Sequence, residues 1–382
     1  MTSVVSPRMS PVTPSSLLRH YQGAIAGAWQ AEGYGYWCLS HAPKHLWLAQ
    51  GSPLPWQTQS PRTLAWTIAD RCAQDLIEHG QVWPDHWLGE VWGDCHREAT
   101  ASPTAPLASV TLPTEAEILL ALLPVALFAH DTPARLAQAH QSLCLALRRE
   151  WPEEPGREPD WDRLAAAWGV FALALAQVYQ GNREPVTLIP SILAALPTIA
   201  PTAMTDDSQA STEMARCLQA VQQGLTQGAG LVRVVSMLLE PAPEPGIGIT
   251  QLVAIALYCY LSAPRDFRCA VVRSVQATRL PSPIAPGGVL PMAAQLPGLA
   301  ALTGALAGSY HGGDGLPLMM FPHANPQAAE RNSTRALPRF PFVGPTVLQQ
   351  MLPLAAAWAG AYQPRRRSSL PPVTLPRVYS SP

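Results

Sequence analysis

An all-α fold is predicted by three features of the sequence. Apolar residues recur at helical spacing through most of the chain, strict alternation of apolar and polar residues is nearly absent, and clusters of Pro and small polar residues punctuate the helical stretches. A first helix is expected over residues 16–31 and a second over 62–79, before a Pro-, Ser- and Thr-rich break at 99–113. Helices at 114–129 and 133–149 follow, parted by the turn His130-Asp131 ahead of Pro133, and residues 151–160 break the pattern again. The clearest helix comes next: Trp161, Leu164, Trp168, Phe171, Leu175 and Val178 are separated by 3, 4, 3, 4 and 3 residues and so lie on one face. Further helices are expected at 186–195, 208–226, 247–262, 265–277, 298–311 and 345–362, with breaks at 239–246, 278–288 and 322–344. Residues 1–15 read as a disordered tail and 363–382 as a basic Pro/Ser-rich tail. No boundary resembles a linker between two cores, so 16–362 is expected to form one domain.

Composition removes several function classes. Charged residues are 13% of the 382, against about 25% in ordinary globular domains, and 41 prolines are about double the usual share. Lys44 is the only lysine and follows no Gly-rich turn, so a P-loop, a kinase site and a Schiff-base lysine are all excluded. Seven cysteines without a CxxC pair argue against a zinc ribbon or disulfide framework and for a reducing, cytoplasmic setting. The segment MTSVVSPRMSPVTPSS lacks the apolar core of a signal peptide, and the apolar runs read as core helices rather than membrane spans. Net charge is −1, yet Arg331, Arg335, Arg339, Arg365, Arg366, Arg367 and Arg377 follow the last acidic residue, Glu330. Three adjacent arginines without interleaved aromatics read as a solvated tail, and no nucleic-acid partner is expected.

Two segments repeat one another: Gly23-Ala-Ile-Ala-Gly27 followed by Ala-Trp, and Gly304-Ala-Leu-Ala-Gly308 followed by Ser-Tyr. Glycine inside a helix costs about 1 kcal/mol relative to Ala, so close backbone packing along a four-residue stripe is the expected compensation.

These segments also carry a resemblance. GAIAGAWQAEGYG (23–35) resembles the opening helix of the ADP-ribosylglycohydrolase family, written GALLGxxxGDALG. ALLPVALFAHDTPARLAQAH (121–140), QLVAIALYCYLSAPRDFRCAVVRSV (251–275) and LAALTGALAGSYHGGDGLP (299–317) are similar to its central, late and closing segments, in the family's order. The resemblance implies an all-α ADP-ribosylglycohydrolase-like domain. Members cleave the glycosidic bond between ADP-ribose and a side chain with two magnesium ions held by carboxylates, as that hard cation demands. Here the first cluster, T-D-D-T in the family, reads Ser60-Pro61-Arg62-Thr63, and the second, G-D-T-D-T, reads Ala294-Gln295-Leu296-Pro297-Gly298. The four aspartates are thus replaced by Pro61, Arg62, Gln295 and Pro297, and the family's Gly-Asp of the first helix survives only as Glu32. The Asn-Gly and Met-Arg positions of its central segment read Ala116-Glu117 and Ala121.

Together the resemblance and these replacements imply a protein with this fold, no confident catalytic residue, no metal site and no cofactor: a pseudoenzyme that binds an ADP-ribose-like ligand or a protein partner. The ligand-binding candidates are Glu32, Arg62, Thr63 and Gln295. Arg62 could pair with Glu32 and plug the pocket, or hold a phosphate bidentately, with the Gly- and Ala-rich wall around Gly27 and Gly304 leaving room for the ligand. One alternative is an active hydrolase with an altered or metal-independent site built on Glu32, and another is a purely structural interaction protein.

Other groupings have simpler readings. Thr205-Asp206-Asp207-Ser208 repeats T-D-D-[ST] but precedes a helix, where Asp and Ser are capping residues. Asp85, His86, Glu90, Asp94 and His96 match no sharp metal motif and read as one side of a helix whose Trp83, Trp87 and Trp92 face inward. Ser309, His311 and Asp314 are too local for a triad and read as a helix end before Gly312. Gly246 and Gly248 are an incomplete dinucleotide fingerprint that follows no strand.

Overall fold

The computed structural model describes residues 14–40, 64–80, 114–150, 160–182, 184–199, 209–240, 247–280, 295–316 and 346–359. Among them 85% are helical and no strand occurs, so the fold is all-α. The helices are α1 (Pro14–Ser40), α2 (Leu64–His79), α3 (Glu115–Ala121), α4 (Leu123–Phe128), α5 (Pro133–Glu150), α6 (Trp161–Tyr179) and α7 (Pro185–Ile199). They continue with α8 (Gln209–Thr226), α9 (Leu231–Leu239), α10 (Ile249–Leu261), α11 (Phe267–Ala277), α12 (Leu296–His311), α13 (Thr346–Gln349) and α14 (Met351–Trp358).

Four of the described helices are buried almost all round, as expected of helices apolar on every side: the short α4, α6, α10, in which every residue from Ile249 to Leu261 is buried, and α12. The others enclose them. Helices α2, α3 and α4 pack against one another, α5 and α7 lie on α6, and α8, α9 and α11 surround α10.

The two repeated glycine segments meet. Helices α1 and α12 run antiparallel in the most extensive contact of the described structure, with Gly23 against Gly308 and Gly27 against Gly304. A Cβ on any of these four would collide with the backbone oxygen of its opposite number, and one on Gly35 would lie 2.7 Å from Pro297 Cα. The wall expected to leave room for a ligand around Gly27 and Gly304 is therefore closed by backbone, and tight packing is what these glycines serve. The same contact explains why α1 runs to Ser40 rather than ending near residue 31. Gly33 and Gly35 disfavour helix, but Gly35 lets the first turn of α12 pack directly on the last turns of α1.

Caps set several boundaries. Thr114 and Glu117 form a capping box at α3, with Thr114 N–H to Glu117 Oε2 at 2.7 Å, while Asp160 and Asp266 cap α6 and α11. The single helix expected over 114–129 breaks at Leu122, because Pro124 has no amide hydrogen with which to continue the ladder. At the far end of α12, Gly312 adopts φ 72°, Ser309 Oγ donates back to Leu306 O at 2.7 Å, and Asp314 pairs with Arg19 at 3.2 Å. Ser309, His311 and Asp314 thus form a helix end, as read from the sequence.

Candidate functional site

Helix N-termini gather at one end of the bundle. A Cβ on Gly298, in the first turn of α12, would lie 2.5 Å from Ala116 Cβ in the first turn of α3. Gln295, the N-cap of α12, donates to Ile247 O, just ahead of α10, at 3.2 Å. Glu115 of α3 lies beside Asp160 and Arg163 at the head of α6. Because helix N-termini carry partial positive charge, carboxylates are favoured there, and among the described residues Glu115 and Glu117 stand at the head of α3 and Asp160 and Asp162 at the head of α6.

Glu32 reaches this end from α1. It is 1% exposed, and one of its oxygens accepts a hydrogen bond from the Trp66 indole Nε1–H at 2.6 Å. Tyr36, one turn further along α1, has its phenol pushed far up by burial and then by the charges of Glu32 and Glu117. The carboxylate that the family resemblance would turn toward a metal therefore faces a neutral donor from α2. Gln295 does not join it: its amide nitrogen is spent on Ile247 O, and its Oε1 is buried without a hydrogen-bond partner. Pro297 packs on Gly35. Pro61, Arg62 and Thr63 lie outside the described residues, as do the Asp85–His96 cluster, Thr205 to Ser208 and the arginine tail. Among the described residues no group of three His, Cys, Asp or Glu side chains could hold a metal ion.

Sequence reasoning missed a polar network beside this end. Glu213 of α8 pairs with Arg163 at 3.0 Å and accepts hydrogen bonds from Thr250 Oγ1 at 2.9 Å and Gln251 Nε2 at 2.7 Å. Thr250 and Gln251 are buried, and Arg163 also pairs with Asp160 at 3.3 Å. These residues stand on three helices far apart in sequence. The nearest sequence signal is Arg163, a cation in the first turn of an otherwise apolar helix.

Glu115 gives this end a pH dependence. Burial, and then the charge of Asp160, hold its carboxyl above the usual range, partly opposed by the Asp160 backbone and by Arg163. A carboxyl with a raised folded-state pKa favours folding fully below its unfolded value, and that contribution is lost as pH rises through the folded value. Glu115→Gln keeps an acceptor without the charge. It should unfold at higher urea than wild type at pH 7, and the gap should close at about pH 4, near the unfolded carboxyl value. A gap that is the same at both pH values would contradict this assignment.

No protein-family model matches the chain, and no curated protein matches it.

Proposed function

We propose that the chain is an ADP-ribosylglycohydrolase-like pseudoenzyme, which binds a nucleotide-type ligand or a protein partner and does not cleave a glycosidic bond. The observation that carries this reading is the 2.6 Å hydrogen bond from Trp66 to the buried Glu32. An indole N–H is a donor only, and it directs its bond at the oxygen a cation would need. The segments that carry the resemblance are also consistent with it: α1 packs on α12, and α12 packs on α10 and α11. The orphaned Gln295 Oε1 favours binding over a purely structural role, since buried polar atoms normally have partners. No described helix is long and apolar enough to cross a membrane, which agrees with a ligand or partner met outside the bilayer.

Two measurements test the proposal. Peptides carrying ADP-ribosylated arginine or serine should release no ADP-ribose in the presence of magnesium, and calorimetric titration should show saturable binding of ADP-ribose. Magnesium alone should leave the melting temperature unchanged, whereas an intact site would add about 2.7 kcal/mol at 100 times its dissociation constant. Turnover, or a saturable magnesium shift absent with sodium, overturns the pseudoenzyme reading. Absence of ADP-ribose binding removes the nucleotide ligand and leaves the protein-partner form.

A further inference from the structure

Arg163 serves two carboxylates with one atom. Its Nε lies 3.0 Å from Glu213 Oε2 on α8 and 3.3 Å from Oδ2 of Asp160, the N-cap of α6. A guanidinium so placed closes on one carboxylate only by drawing away from the other, because the two-point geometry that makes such a pair strong is directional. Asp160 is fixed by its capping role, with its Oδ1 accepting from the Arg163 backbone N–H at 3.1 Å. Glu213 is held without the arginine too, through Thr250 Oγ1 at 2.9 Å and Gln251 Nε2 at 2.7 Å. The group that can swing between the two is therefore the Arg163 side chain.

Glu115 stands next to this choice. It begins α3, and its carboxyl accepts a hydrogen bond from the Asp160 backbone, which brings two carboxyl groups together at the head of α6. Burial first, and then the charge of Asp160, push the Glu115 carboxyl up, while Arg163 pulls it down. Of the helices packed on α3, α4 and α10 carry no Asp, Glu, Lys, Arg or His, and α12 carries only His311, at its far end. Helix α2 carries Asp70, Arg71, Asp75, Glu78 and His79, and on α3 itself Glu117 is engaged in the capping box with Thr114. The charges that act on Glu115 are those of Asp160 and Arg163.

We infer that the proton on Glu115 decides which carboxylate holds Arg163: Glu213 when Glu115 is neutral, Asp160 when it is ionised. A second negative charge beside Asp160 strengthens the pull of the α6 head on the guanidinium, and Glu213 is left with its two neutral donors. Because the Arg163 to Glu213 pair ties α6 to α8, ionisation of a residue on α3 loosens a contact between two other helices. Such coupling is reciprocal, so removing the Glu213 charge leaves Arg163 to the α6 head and eases the ionisation of Glu115. Neither state needs a nucleotide or a partner, and the inference stands independently of the proposed function.

Urea unfolding at pH 7 tests this through the stability that Glu115→Gln adds to four parents: wild type, Glu213→Gln, Asp160→Asn, and the last two combined. The gain should fall to about half or less when Glu213→Gln is the parent. In Asp160→Asn, adding Glu213→Gln should leave the gain unchanged, because the α6 head has lost the carboxylate that competes for Arg163. Asparagine still caps α6, so these variants should fold. At about pH 4, near the unfolded carboxyl value, the gain should close in every parent. A gain at pH 7 that is equal in wild type and Glu213→Gln overturns the inference. A fall that persists without Asp160 does so too, since it assigns the effect to direct repulsion between Glu115 and Glu213. So does a gain that survives undiminished at about pH 4, which would place the effect outside the ionisation of Glu115.

Discussion

Gly308→Ala is expected to destabilise the protein by about 3 kcal/mol, although the same exchange in an unpacked helix would gain about 1 kcal/mol. The reversal of sign comes from the contact with α1. The new methyl group would sit well inside van der Waals distance of Gly23 O and 3.1 Å from Gly27 Cα, and these are backbone atoms that no rotamer change can move aside. The helices would have to separate along much of their shared length, loosening Gly27 against Gly304 and Gly35 against Pro297 as well. Gly23→Ala attacks the same contact from the other side, so the double variant should cost much less than the two single effects added together. Gly230→Ser is the control. Gly230 is the N-cap of α9 with open space where a Cβ would go, so serine there should be neutral or stabilising. Urea unfolding of the four variants beside wild type checks the set, and a Gly308→Ala midpoint at or above that of wild type would refute the packing account.

That contact also marks how far the sequence could be read. The repeated Gly-x-x-x-Gly segments are visible as a pair, and their cost in a helix requires compensation, but nothing local says whether the compensating surface is a ligand or another helix. The partner is fixed by a register between residues nearly 300 positions apart. Helix type is legible wherever an apolar face is long, as in α6. Helix α9, Leu231–Leu239, is missed: it has nine residues, three of them valine, and a glycine N-cap that offers no side-chain signal. In the candidate site, Glu32 is legible from its place in the first helix, whereas its Trp66 partner depends on how α2 packs. The Glu213 network is invisible in the sequence because residues 163, 213, 250 and 251 meet only once α6, α8 and α10 are assembled.

Removing the centre of that network should have the second large effect. Glu213→Ala would remove an acceptor from three donors, the Arg163 guanidinium, the Thr250 hydroxyl at 0% exposure and the Gln251 amide at 3%, of which Thr250 keeps Gln251 Oε1 at 3.1 Å. Deleting one partner of a fully buried ion pair costs about 3–5 kcal/mol, chiefly because the other charge is stranded. Two features reduce that figure here. The side chains of Glu213 and Arg163 are 15% and 24% exposed, so water screens part of the charge, and Arg163 retains Asp160 at 3.3 Å. A loss of about 2–3 kcal/mol is therefore expected. Glu213→Gln should lose less, since its carbonyl can still accept from Thr250 or Gln251. The exposed pair Arg148–Asp162 serves as the comparison, with side chains 45% and 63% exposed. Asp162→Asn should cost under about 1 kcal/mol, because solvent-exposed ion pairs contribute little. Chemical denaturation resolves the ranking, and a double-mutant cycle of Glu213→Ala with Arg163→Met isolates the pair. If the cycle gives no coupling and Glu213→Ala unfolds with wild type, α6, α8 and α10 are held together by their apolar faces alone.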